Sequence, residues 1–268
     1  MNTSDSRQED VSYFVPLFEA AGEYRGENHF RLLPEPAARS SLVADDEPLK
    51  SWGSAKFVQS SFSAGLMHVE ALTKLVRVAG QIDPMSPWTL LRGALENFAT
   101  AVWLLDGKDR DERRHRALTL WAEDFRNRHQ HETDVQHVVT GPKEKTGAQR
   151  QDEVKDLADR LGLPGLRRPG AGDIIFSAAT TAGLDPKLTR ALWRVGSGFA
   201  HGRFWPILRA SEVRGLARGS NGGYLLNFVV DDDQLKSMAD ACQKLLEHTA
   251  KRYVARSRAS VRVSDPRF

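Results

Sequence analysis

A single cysteine, Cys242, in 268 residues excludes an intramolecular disulfide framework and every zinc or iron–sulfur site that needs several thiolates. The expected compartment is a reducing one, most simply the cytoplasm. No apolar run approaches the ~18 residues of a membrane span, and residues 1–11 are polar and acidic rather than basic and then apolar. Neither a membrane association nor a secretory signal is therefore expected. A charge excess of one sign is also lacking, because 38 basic against 35 acidic side chains leave a net +3. That average is too weak to announce a nucleic-acid binder. Internal repeats, sustained heptads, a nucleophile elbow and a dinucleotide fingerprint are missing, and Gly162-Leu163-Pro164-Gly165 lacks the strand and helix that a phosphate loop needs. What is present is an ordinary globular share of hydrophobic residues, 40%, enough to build a core and to exclude wholesale disorder.

The charges are unevenly distributed. Residues 1–50 hold ten acids against five bases, whereas residues 251–268 hold six bases against Asp265 alone. Pro34, Pro36 and the run from Ala37 to Ser41 interrupt any period before residue 48. The expected organisation is an acidic N-terminal lead-in over 1–47, a helical bundle domain over 48–257, and a basic, solvated tail over 258–268.

Within the domain, apolar residues recur at helical steps. Val58, Phe62, Leu66, Val69, Leu72 and Val76 predict a helix over 51–79. Leu91, Leu95, Phe98, Val102 and Leu105 predict a second over 86–105, with Ser86 as N-cap and Pro87 in its first turn. A charged helix is expected over 109–138 around Leu118, Trp121 and Phe125, then shorter ones over 149–161 and 173–182. Asp185-Pro186 opens a further helix that Pro206 should end. Residues 208–230, with Gly219-Ser220-Asn221-Gly222-Gly223 at their centre, read as a hairpin, and Asp231 to Asp233 start a last helix. The fold class expected is all-α: an antiparallel helical bundle with one small β-hairpin before the last helix.

The helix after Asp185 is the candidate for chemistry. At about 100° per residue, Leu188, Leu192, Val195 and Phe199 form a core line, while Arg190, Arg194, Ser197 and His201 form a polar line about 160° away. Arg194 and His201 stand seven apart, about two turns, so a guanidinium and an imidazole can converge on one bound group. Gly196 and Gly198 each cost about 1 kcal/mol in a helix interior. Close approach of another backbone, of a ligand, or a local break in the helix would account for them. Two other pairs, Arg110 with His115 and Arg126 with His131, have a similar spacing. Only the third has a capped helix, neighbouring glycines and Gly202 after the histidine.

Arg194 to His201, an Arg-x6-His spacing late in an all-α chain, resembles the signature of the HEPN superfamily. The run from Ser86 to Leu105, with Arg92 and Glu96 in corresponding polar places, also resembles a helix of HEPN-like bacterial proteins. The resemblance spans Ser86 to Trp205, and the chain departs from the pattern in carrying Val195 directly after the arginine. What the resemblance implies is a helical bundle, homodimerisation and RNA cleavage that needs neither metal nor cofactor. His201 would then move the proton of an RNA 2′-hydroxyl or of the leaving 5′-oxygen, and Arg194 would stabilise charge on the phosphorane. Ser197 would orient phosphate or imidazole, with Arg190, Arg92 and Glu96 on the substrate side. One histidine cannot act as base and acid in one concerted step, which is a mechanistic reason to expect a two-fold dimer.

Other readings compete. The same polar face fits a solvated or packed surface in a non-catalytic interaction or sensor module that binds nucleic acid or a protein partner. His129, His131, Glu132, Asp134 and His137 cluster in sequence, but the histidines lie two and six apart and point in different directions on a helix. Cys242 reads as a buried structural thiol, Arg92 with Glu96 as a helix ion pair, and Trp193 and Trp205 as packing residues.

Overall fold

Most of the longer helices begin at a side chain that accepts hydrogen bonds from their free amides. The computed structural model describes residues 11–24, 33–79, 83, 85–137, 141, 143–218 and 224–259. Among these it places ten α-helices: α1 (Val15–Gly22), α2 (Ser41–Asp46), α3 (Ser54–Lys74), α4 (Ser86–Leu105), α5 (Arg110–Asp134), α6 (Gly147–Arg160), α7 (Ala171–Thr181), α8 (Pro186–Ala200), α9 (Phe204–Arg209) and α10 (Asp232–Ser257). Asp109 caps α5, Asp185 caps α8 and Asp231 caps α10. Thr146 and Gln149 form a reciprocal capping box on α6. At α4 the N-cap is Met85, one residue before the expected Ser86, and its side chain makes no cap bond; the Asp83 carboxylate instead accepts from the amides of Met85 and Ser86 at 2.9 and 2.8 Å.

The fold is all-α. Helix α4 is its axis, packed against α3, α7, α8 and α10. The expected stripe of Leu91, Leu95, Phe98, Val102 and Leu105 is buried, but so are Trp88, Ala94, Ala99, Ala101, Trp103 and Leu104. A helix buried nearly all round needs apolar residues on every side. Helices α5 and α6 pack on each other as a charged hairpin beside this centre. Between α9 and α10, β1 (Ser211–Arg218) pairs antiparallel with β2 (Tyr224–Val230), with Ser211 opposite Val230 and Arg218 opposite Tyr224. The residues that join them, 219–223, lie outside the described ones.

The expected lead-in over 1–47 does not stand apart from the bundle. Phe14, Leu17, Leu33 and Leu42 are buried in the same core as α4 and α10. The Ala37 amide donates to the Ser257 carbonyl at 2.8 Å, and Ser40 pairs with Ala259. Short helices with no long period leave little pattern in sequence, although each contributes large apolar side chains. Most of the expected basic tail, 260–268, lies outside the described residues.

Asp45 locks this N-terminal segment to the domain. Its carboxylate, with a side chain only 3% exposed, pairs with Arg110 at 3.1 Å, with Arg113 at 2.7 Å and with Arg256 from α10. Arg114 adds bonds to the carbonyls of Ala44 and Asp45, both at 3.1 Å. Burial by itself would raise the Asp45 pKa, but the hydrogen bonds and charges of Arg113 and Arg256 outweigh it and leave the carboxyl below the usual range. A second knot joins α4 to α10, where Asp106 binds His248 at 2.7 Å and also Arg252.

Cys242 is fully buried, and its thiol lies 3.4 Å from the Leu91 carbonyl. Burial pushes its pKa far up, so the nucleophilic thiolate is suppressed. Ellman's reagent is expected to leave the folded chain unmodified and to titrate one thiol after denaturation. Rapid reaction under native conditions would show that α10 does not seal this position.

Candidate functional site

Asp185 starts α8 by accepting from the amides of Lys187 and Leu188 at 2.8 and 3.1 Å. The helix does not continue to Pro206. It closes after Ala200, where the Gly202 amide donates to Phe199 and the Arg203 amide to the Gly198 carbonyl, at 3.0 and 2.8 Å. This paired closure requires the left-handed conformation that Gly202 adopts, with φ +60°. His201 is thus the C-cap, although its amide still bonds the Ser197 carbonyl at 3.2 Å and keeps the helical register.

The core line of α8 differs from the expected one at its first position. Leu192, Val195 and Phe199 are buried, but Leu188 is 50% exposed and Thr189 is buried in its place. Gly196 and Gly198 have an explanation inside the chain. A Cβ on Gly196 would lie 3.0 Å from the Trp88 carbonyl oxygen and from Arg92 Cβ, so α4 crosses there closely. A Cβ on Gly198 would lie 2.3 Å from Pro206 Cγ, because α9 folds back onto the last turn of α8. Neither a helix break nor a second chain is needed to account for them. Gly198→Ala should therefore destabilise the protein by about 1–2 kcal/mol in urea unfolding, since overpacking outweighs the better helix propensity of alanine. A stability gain would overturn this packing account.

The proposed site residues divide into two groups. Arg194 and His201 are exposed and Ser197 is half-buried, in the expected line along α8. Among the described residues, neither Arg194 nor His201 has a side-chain hydrogen bond or ion pair. The two competing pairs are engaged elsewhere: Arg110 binds Asp45, Arg126 binds Glu123 at 3.4 Å, and His115 Nε2 lies 3.2 Å from the Pro164 carbonyl.

Arg190, Arg92 and Glu96 belong to the second group, in which side chains tie helices together. Arg190 lies over the Phe176 ring at 4.7 Å and within 3.7 Å of Asp173, fastening α7 to α8. Glu96 accepts from Trp193 Nε1 at 2.6 Å, and Arg92 Nε lies 2.9 Å from the same carboxylate oxygen. His68, packed over Gly93, completes this half-buried cluster; burial lowers its pKa, with Glu96 opposing. Reading Arg92 and Glu96 as a helix ion pair is correct but incomplete, because Trp193 is the third member.

Sequence reasoning did not single out Phe204 beside His201, and it read Trp205 as a packing residue, which its ring against Gly198 supports in part. Phe204 is 83% and Trp205 44% exposed, with Leu208 beyond them on α9. Their signal was the short spacing after Gly202, obscured by treating Pro206 as the end of one long helix. A cavity of about 340 Å³ opens between the first turns of α8 and the middle of α10, and none of the proposed site residues lines it. The histidine-rich end of α5 is taken up by structure. Glu132 accepts from the Gly147 amide at 2.7 Å and from Arg128, and His137 lies 3.6 Å from Glu144. No three potential metal ligands converge among the described residues.

The class thus defined is an all-α bundle that exposes an arginine and a histidine along the C-terminal half of α8 and aromatic rings at the start of α9. No helix among the described residues is long and apolar enough to cross a membrane. No protein-family model, curated protein or solved structure matches the chain.

Proposed function

We propose that this chain is a HEPN-like protein that cleaves RNA without a metal, leaving a 2′,3′-cyclic phosphate. The observation that carries the reading is the line of exposed Arg194, half-buried Ser197 and exposed His201 along α8, followed in the chain by the exposed rings of Phe204 and Trp205. Guanidinium groups suit phosphate by their fork geometry, and imidazole is the side chain best suited to move protons near neutral pH. Aromatic faces stack unpaired bases in single-stranded RNA.

In the proposed step, His201 removes the 2′-hydroxyl proton while the 2′-oxygen forms a bond to phosphorus. The bond from phosphorus to the 5′-oxygen breaks, and that oxygen takes a proton from the imidazolium of a second protomer. Arg194 stabilises the charge that accumulates on the phosphorane oxygens. Two copies of α8 across a two-fold axis would supply both histidines. The purified protein is expected to sediment as a dimer and to cut single-stranded or structured RNA in the presence of chelator. RNA left intact over a broad pH range removes the reading.

Exposed Phe204 and Leu208 favour a second reading, in which this face docks a protein partner and performs no chemistry. Salt separates the two. RNA held through phosphates must bind more weakly as salt rises, and no RNA binding at any salt leaves the partner protein.

A further inference from the structure

We infer that a second site, walled by α5, α6 and the segment before α7, binds a phosphate-class dianion. A pocket of about 220 Å³ opens there, remote in sequence from Arg194 and His201. Four cationic side chains line it: Arg126 from α5, Lys155 from α6, and Arg167 and Arg168 from the connecting segment. Against them stands one lining carboxylate, Glu123, whose two oxygens face Arg126 at 3.4 Å and Arg168 at 3.0 Å. Lys155 also lies 3.5 Å from Asp152 on its own helix, outside the lining. The pocket therefore keeps a positive excess after its internal pairing.

Thr119 is the independent sign of a ligand. It lines the pocket, is only 2% exposed, and its Oγ1 meets no hydrogen-bond partner among the described residues. Helical threonines ordinarily donate to the carbonyl one turn back. In this protein Thr73, Thr89, Thr100, Thr133, Thr180, Thr181, Thr189 and Thr249 all do so. Thr119 alone among the described helical threonines withholds its hydroxyl. Arg168 Nε is likewise buried without a hydrogen bond, its approach to Glu123 being off-line. Buried donors without partners are costly; both atoms are closed to solvent as the side chains stand, so an oxyanion in the pocket would accept from them after a turn of the Thr119 and Arg168 side chains.

The dianion is either free phosphate or the terminal group of a monoester, and the pocket volume admits both. Calorimetric titration at low salt with inorganic phosphate and with ribose 5-phosphate is expected to give saturable binding at one site per chain. A tighter fit for the sugar phosphate would assign the terminal group, and equal affinity would assign phosphate itself. Arg167→Ala, a change at an exposed position, should weaken binding at least tenfold. Thr119→Val, which keeps shape and loses the hydroxyl, should weaken it severalfold. Arg194→Ala should bind like wild type, so this test stands or falls separately from RNA cleavage. Absence of saturable binding, or unchanged affinity in both pocket variants, overturns the inference.

Discussion

Asp45→Asn is expected to lower stability by about 3–5 kcal/mol at neutral pH, because removing one partner of a buried ionic cluster strands the others. At about 2–4 °C per kcal/mol for a chain of this size, the melting temperature should fall by roughly 6–20 °C. The stranded groups are Arg256, with a side chain 9% exposed, and Arg113, 18% exposed; Arg110 is half in solvent and contributes less. The pH dependence follows from the direction of the Asp45 shift. With its pKa lowered in the folded chain, the folded state binds fewer protons than the unfolded state, and stability rises with pH in that range. The Asp45 contribution is complete above the ordinary carboxylate value of about 3.9 and is lost as pH falls through the lower folded value. Wild type and variant should thus differ fully at pH 5–7 and converge in strong acid, as measured by calorimetry across pH. Equal melting temperatures at neutral pH would mean that the arginines are solvated well enough to need no carboxylate.

His201→Ala is expected to slow RNA cleavage by about 10²–10⁴-fold, the usual worth of a positioned proton-transfer group. Arg194→Ala should cost about 10²–10³-fold, comparable to loss of one donor to a developing oxyanion. Arg194→Lys should recover part of that loss, since it restores the charge without the fork. Both native side chains are exposed and have no partner among the described residues. Their removal should therefore change stability by no more than about 0.5 kcal/mol, which separates a chemical effect from unfolding. Cleavage that proceeds equally in wild type and in both alanine variants would assign the activity to another site or to a contaminant.

Much of the architecture was legible because period and punctuation agree with tertiary burial. The expected limits of α4 match those observed, and Asp109, Asp185 and Asp231 cap the helices that follow them. Legibility failed where the signal is short or nonlocal. The helices α1 and α2 are too brief to show a period, yet Phe14 and Leu42 are wholly buried. Proline at position 206 looked like a terminator, but Gly202 had already closed α8, and Pro206 packs against Gly198. At the site, the register of Arg194, Ser197 and His201 was readable from spacing alone. Which arginines remained available was only partly so: the Arg92–Glu96 pair was, but Arg190 and Arg110 are paired by residues on other helices.

By itself, the sequence determined the helical class, the principal helix starts and the alignment of Arg194 with His201, because these depend on interactions within one or two turns. Only tertiary structure decided that the N-terminal segment belongs to the core and that Gly196 and Gly198 admit α4 and α9. It also decided that Thr119 faces a cationic pocket. Those outcomes depend on which distant surfaces meet, and a contact between distant segments leaves no periodic trace in either one.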